Sequence, residues 1–176
     1  MTVPPSIRRL EHVTDAELAG LADVVVDVVE GGASIGFMHP FPQARALQFW
    51  RAIADDVERG ARALLVAEDE LGIVGTVHLV LAQPENQPHR ADLSKMLVHR
   101  RARRRGVGAA LLRAAEDTAR ACGRSLLVLD TASDVAERLY ERQGWVRLGT
   151  VPGFALLPDG APCDTTFFYR ELDARP

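Results

Sequence analysis

Cysteine is scarce: Cys122 and Cys163 are the only two in 176 residues. They stand far apart, without CxxC or zinc spacing, which argues against a disulfide framework and a thiolate metal site; a reducing compartment is expected. The first ten residues contain no apolar core; Pro4, Pro5, Arg8 and Arg9 interrupt them, so no secretory signal is expected there. Long hydrophobic runs are missing too, because Asp23, Asp27 and His78 break the apolar stretches well short of a membrane span. Neither sign of charge dominates, and a net charge of −3 offers no global attraction to nucleic acid or an anionic membrane. Biased tracts, repeats and linkers are absent. What remains, 47% hydrophobic and 26% charged, suits one cytoplasmic globular domain over residues 1–176. Composition leaves monomer or homodimer open.

Periodicity then orders the elements. Residues 6–13 read as a strand, and Thr14 or Asp15 caps a helix with Leu18, Leu21, Ala22, Val25, Val28 and Val29 at helical spacing. Asp23, Asp27 and Glu30 fall on its other side. Gly31, Gly32, Gly36, Pro40 and Pro42 mark a loop, and a second helix follows with Leu47, Trp50, Ile53, Ala54 and Val57 on one face. Residues 62–68 and 73–82 form a hairpin, and residues 91–98 a further strand. A helix over residues 106–122 buries Val107, Leu111, Ala115, Ala119 and Cys122. Residues 125–130, almost all aliphatic, suit a strand covered on both faces. Asp134 and Glu137 have capping-box spacing at the head of a helix reaching Gln143. Strands over 145–151 and 165–172 end the chain. The order β-α-α-β-β-β-α-β-α-β-β predicts a mixed α/β domain.

The most informative stretch joins a strand to a helix: Arg100, Arg101, Arg103, Arg104 and Arg105, then Gly106-Val107-Gly108-Ala109. Glycine there lets backbone approach a ligand closely. The first amides of a helix have no internal partner, and with the helix dipole and the arginines they suit a pyrophosphate. Taken alone, these residues also allow a solvated basic turn or a nucleic-acid patch. A P-loop is excluded, because no Lys followed by Ser or Thr comes after the last glycine. A Rossmann fingerprint is excluded by Leu111, where the third glycine would stand.

Arg103-x-x-Gly106-x-Gly108 resembles the acetyl-CoA motif of the GNAT N-acetyltransferase superfamily. About thirty residues later, Ala136-Glu137-Arg138-Leu139-Tyr140-Glu141-Arg142-Gln143-Gly144-Trp145 resembles the A-x-x-L-Y-E-x-x-G-F block of the same family. The element order is similar over nearly the whole chain. Ser94-Lys95-Met96-Leu97-Val98, Asp130-Thr131 and Leu157-Pro158-Asp159-Gly160 resemble the tabtoxin-resistance branch.

The resemblance implies the GNAT fold, acetyl-CoA as acetyl-donor cosubstrate, no metal, and direct transfer to the primary amine of a small molecule in a ternary complex. It implies that Arg103, Arg104, Arg105, Gly106, Val107, Gly108 and Ala109 cradle the pyrophosphate, and that backbone groups of Leu97 and Val98 hold the pantetheine arm and polarise the thioester carbonyl. Ser133 stands where many members have a pantetheine-binding Asn. Tyr140 matches the tyrosine that protonates the departing thiolate. An amine of pKa ~10 must lose a proton before it attacks, so a base is required. Asp92, fourteen residues before Gly106, and Asp130, at the end of the aliphatic strand, are the two candidates for proton acceptor or amine anchor. Ser34, Phe37, Trp50 and the loop 83–90 are expected to meet the substrate. His78 and His99 lack a second ligand at metal spacing. Neither cysteine is a candidate covalent nucleophile. Two rival readings are a CoA-binding module without turnover, against which Tyr140, Asp92 and Asp130 count, and a nucleic-acid binder, against which the acidic remainder and the lack of interleaved aromatics count.

Overall fold

A computed structural model describes residues 5–172. Among them are strands β1 (Ser6–Leu10), β2 (Arg62–Asp69), β3 (Gly72–Val80), β4 (Arg90–Val98), β5 (Leu126–Thr131), β6 (Val146–Leu156) and β7 (Pro162–Glu171). Helices α1 (Asp15–Glu30), α2 (Gln43–Glu58), α3 (Val107–Ala121) and α4 (Asp134–Arg142) connect them, with a 3₁₀ turn at Arg100–Ala102. The strands form one sheet in the order β1-β2-β3-β4-β5-β7-β6. Every neighbouring pair is antiparallel except β4 and β5. This is the mixed α/β architecture expected from the element order.

Two apolar layers hold the helices to the sheet. On one face α1 and α2 bury Leu21, Val25, Val29, Trp50 and Ile53 against Leu64 and Val66. On the other, α3 and α4 set Leu111, Ala115 and Tyr140 against Val77, Leu79, Leu127 and Phe168. Alternation along the strands supplies the two faces, as the period of two requires.

Local differences from the sequence expectation have identifiable causes. The first strand stops at Leu10, because Thr14 opens a capping box. Its Oγ1 accepts from the Glu17 amide (3.3 Å), and the Glu17 carboxylate accepts from the Thr14 amide (2.8 Å). At α4 the cap is Ser133 rather than Asp134, with Ser133 Oγ accepting from the Ala136 amide at 3.3 Å. The β6 strand continues through Pro152 and Gly153, a register shift between Val151 and Ala155 absorbing both. An edge strand tolerates proline because one row of its amides has no strand partner. Only one face of β5 is fully covered: Leu127 and Leu129 are buried, while Leu126 and Val128 are half-buried and Asp130 is exposed.

Two irregularities in the middle of the sheet create the site. Thr76 of β3 faces Leu97, but His78 faces Ser94, so β4 carries an extra residue there and Lys95 adopts φ 52°. The parallel pairing of β4 with β5 is also short, joining only Arg90–Asp92 to Leu126–Val128. Beyond it the strands separate, and residues 93–98 have no strand partner on the β5 side.

Candidate active site

The turn that follows β4 is clamped from below. Asp27 on α1 accepts from the Arg100 amide (2.9 Å) and from Arg100 Nε (2.7 Å), with His99 Nε2 at 3.6 Å. Burial raises the Asp27 carboxyl, but the Arg100 hydrogen bonds and the electrostatic influence of His99 and Arg100 outweigh it and hold it below the ordinary carboxylate range. Spacing puts Asp27 on the polar side of α1; the structure leaves it 8% exposed, beneath the turn. Arg101 Nη1 donates to both oxygens of Asp69 (2.8 and 2.7 Å), and Arg105 Nη1 approaches the same carboxylate at 3.6 Å. Arg103 Nε donates to the Val98 carbonyl at 3.3 Å. Arg103 and Arg104 have no acidic partner among the described residues.

The arginines thus shape the turn that presents α3. Gly106, its N-cap, sits at φ 76°, where an L side chain is strained, and provides no side-chain cap. The first amide with a helical partner is that of Ala110, donating to Gly106 O at 3.0 Å. The amides of Val107, Gly108 and Ala109 therefore point out of the helix end. Gly108 has a second reason to be glycine: a Cβ there would stand 3.2 Å from Leu139 Cδ2 and 4.0 Å from Val98 Cγ2. It allows α3 to approach α4 beside β4, a packing role additional to the ligand clearance read from the sequence.

Tyr140 packs beside β5, against Phe168, which pairs with Leu129. It is 3% exposed, its ring 5.7 Å from those of Trp145 and of Phe168. Trp145 is fixed in turn by a buried bond from Nε1 to Glu116 Oε1 at 2.9 Å. Burial, and next the charge of Asp130, raise the Tyr140 phenol well above its ordinary value. Burial lowers the Lys95 pKa, and the charge of Asp130 opposes it. The same carboxylate therefore influences both groups. Asp92 is placed otherwise. The Arg90 guanidinium holds its Oδ1, Gln83 Nε2 donates to its Oδ2 at 3.1 Å, and Arg90 Nη2 closes the ring onto Gln83 Oε1 at 2.6 Å. The loop 83–90, expected at the substrate, thus supplies Gln83 to this network. Ser133 spends its Oγ acceptor on capping α4.

The remaining wall comes from the loop between α1 and α2. Ser34 Oγ donates to Leu156 O (2.8 Å) and the His39 amide to Pro158 O (3.0 Å), which ties this loop to the β6–β7 connection. Phe37 stacks with Phe41 and Phe49 at 4.3 and 5.1 Å between centroids. Trp50 does not share that wall. It is 0% exposed and lies behind Phe49 against His78, because its side of α2 faces the sheet. Phe49, half-buried, stands between Trp50 and Phe37. His78 is a core group: Arg62 Nη1 stands 3.0 Å from its Nε2, and since guanidinium only donates, Nε2 accepts and the proton is on Nδ1.

Sequence reasoning missed Asp27, Glu116, Phe49 and Lys95. Asp27 interrupts a run of valines, and Glu116 follows Leu112 by one helical turn on the apolar stripe; both were signals of a buried acid. Among the described residues, no group of three or more His, Cys, Asp or Glu comes together as a metal would require. Both cysteines are free. No described helix is long and apolar enough to cross a membrane.

A parallel strand pair that parts at its carboxyl ends, a helix start without a side-chain cap and a buried tyrosine beside β5 agree with the acyl-CoA-dependent transfer that the motifs imply. The comparisons with known proteins agree. Residues 33–145 match the family model described as Acetyltransferase (GNAT) family. The fold is similar to that of yncA from Salmonella typhimurium, solved with its cofactor acetyl-CoA (TM-score 0.78, 22% identity, 98% of this chain and 96% of that one). It is similar too to a GNAT superfamily phosphinothricin acetyltransferase from Sinorhizobium meliloti in complex with acetyl-CoA (0.77, 20%, 99% and 94%). A ribosomal-protein-alanine N-acetyltransferase from Brucella melitensis matches with TM-score 0.78 at 26% identity over 95% of this chain and 99% of that one. The chain belongs to the acetyltransferase (GNAT) family and is an acetyl-CoA-dependent transferase.

Proposed function

We propose that this enzyme acetylates the primary amine of a small molecule by direct attack on the thioester in a ternary complex. What supports the reading is the early end of the β4–β5 pairing, the influence of Asp130 at the end of β5 on the buried Tyr140, and a helix start at α3 with no side-chain cap. Val107, Gly108 and Ala109 offer N–H groups, and Arg103 and Arg104 offer charge, to the pyrophosphate of the cosubstrate. Free of β5, the backbone of Leu97 and Val98 suits the pantetheine arm and the thioester carbonyl. A small acceptor is proposed over a protein terminus; in support, the bonds from Ser34 and His39 to residues 156 and 158 hold the α1–α2 loop against the end of β6 and the connection that follows it. Among the neighbours, one is named for phosphinothricin and another for a protein alanine, so the relatives do not decide this point.

Asp130 is the better proton acceptor or amine anchor, because Asp92 is occupied by Arg90 and Gln83. In the transfer, the ammonium first loses a proton to solvent by way of Asp130, directly or through water; the free nitrogen then bonds to the acetyl carbon and releases a second proton. As the C–S bond breaks, the thiolate takes the proton of Tyr140, whose raised pKa keeps it protonated at working pH. Solvent carries that second proton to the tyrosinate, and the first is the net proton released. Ser133 positions the start of α4, and through it Tyr140.

Tyr140→Phe keeps the ring and its packing and removes the hydroxyl. Its kcat should fall at least about tenfold while acetyl-CoA affinity barely moves. Turnover at the parental rate with chemistry limiting would leave the thiolate to be protonated by water and refute the acid role.

A further inference from the structure

Lys95 is the only lysine among the 21 Lys and Arg residues of the chain. It occupies the β4 bulge in a left-handed conformation (φ 52°), backbone strain of the kind that functional sites retain. Its Nζ lies over Phe37 and Phe49, 5.7 and 5.8 Å from the ring centroids. The loop backbone covers it at Gly36, where an added Cβ would stand 3.9 Å from Nζ. Among the described residues no carboxylate comes within ion-pair distance of Nζ. Arg62, also cationic and close enough to disfavour the charged ammonium, is matched by Asp56 at 2.8 Å. Lys95 has only aromatic faces and the longer-range field of Asp130. A half-buried ammonium in such a place is undercompensated until an anion joins it. The layer beneath adds two buried donors with no hydrogen-bond partner, His78 Nδ1 and Trp50 Nε1.

The charges are therefore polarised across the acceptor side. Asp130 is at the end shared with Tyr140, where the reacting amine belongs, and an uncompensated cation lies beneath the α1–α2 loop. We propose that Lys95 anchors an anionic group of the acceptor, so that the substrates are amines that also carry a carboxylate or comparable acid. The amine is directed to Asp130 and the acid to Lys95. This rests on the acetyltransferase reading given above. Lys95 is a specificity-determining residue in this scheme and takes no part in bond making.

The test is a matched panel of α-amino acids, their amides and their decarboxylated amines, assayed for thiol release at saturating acetyl-CoA. The acids should exceed their amides in kcat/KM by about tenfold or more, since an ammonium with a bound anion discriminates strongly against a neutral isostere. Lys95→Met should bring that ratio close to one, with kcat/KM for the amides and the affinity for acetyl-CoA unchanged; Lys95→Arg should keep a preference for acids. Equal use of acids and amides by the parent enzyme overturns the proposal. So does a Lys95→Met variant that loses activity on acids and amides alike, which would reduce Lys95 to a counter-charge for Asp130. If the variant does not fold, the parent serves: trinitrobenzenesulfonate labelling of the peptide containing Lys95 should be slowed by the acids and not by their amides, and equal protection overturns the idea. Absence of both acetyl-CoA binding and turnover on every amine is a different result, and sinks the transferase mechanism itself.

Discussion

The two sides of the β4–β5 opening treat positive charge in opposite ways. On the donor side Arg100 is paired with Asp27, and Arg101 and Arg105 with Asp69, so these guanidinium groups act as fasteners that fix a backbone turn. The groups proposed to bind the ligand there are chiefly amides. On the proposed acceptor side no carboxylate among the described residues comes within ion-pair distance of the cation, and a lysine replaces arginine. Guanidinium suits the first task, with five donors in a rigid fork matched to carboxylates; the compact ammonium suits the second. A basic run in a sequence is thus a poor measure of how much charge a ligand meets, since pairing decides it.

The strongest break in this comparison is Gly106→Val. A β-branched residue at φ 76° should turn the α3 amides away from the pyrophosphate and weaken acetyl-CoA about a hundredfold, two charge-assisted hydrogen bonds being at stake. Isothermal titration measures it. Gly108→Ala is the control, because its Cβ meets Leu139 and should lower the melting temperature more than the affinity. Parental affinity in Gly106→Val would show that the helix amides do not hold the cosubstrate.

Asp27→Asn probes the fastener. One acceptor survives and the charge is lost, so the melting temperature should drop by about 3–6 °C. Acetyl-CoA affinity should fall by a smaller factor than in Gly106→Val, roughly threefold to tenfold, because the turn is loosened while its amides remain. A lower melting temperature with intact affinity would confine Asp27 to folding.

The smallest effect comes from the layer under Lys95. Burial, then the charges of Arg62 and Lys95, push the His78 pKa down to about 3. The unfolded chain protonates this imidazole near pH 6.5. Between those values the unfolded state holds the extra proton, so stability falls on acidification from about pH 6.5 toward 3 and is unaffected above 6.5. The slope is at most about 1.4 kcal/mol per pH unit. Urea midpoints at pH 7 and 5.5 should show it in the parent and less of it in His78→Leu. Identical slopes in the two would assign the acid sensitivity to other groups.

Alternation, helical spacing and glycine punctuation determined the element order of this protein, and two contiguous segments, 97–109 and 136–145, carry its proposed donor site and Tyr140. Those signals are local: each depends on residues within a few turns of one another, so the chain carries them before it folds. Tertiary structure alone decided which charges are compensated. Asp27 reaches Arg100 across 73 positions, Asp92 is occupied by its neighbours Arg90 and Gln83 while Asp130 is not, and Trp50 lies behind Phe49. The bulge that raises Lys95 beneath Phe37 and Phe49 is a register slip between β3 and β4. Burial and ion pairing depend on distances between segments remote in the chain, and no window of sequence contains them.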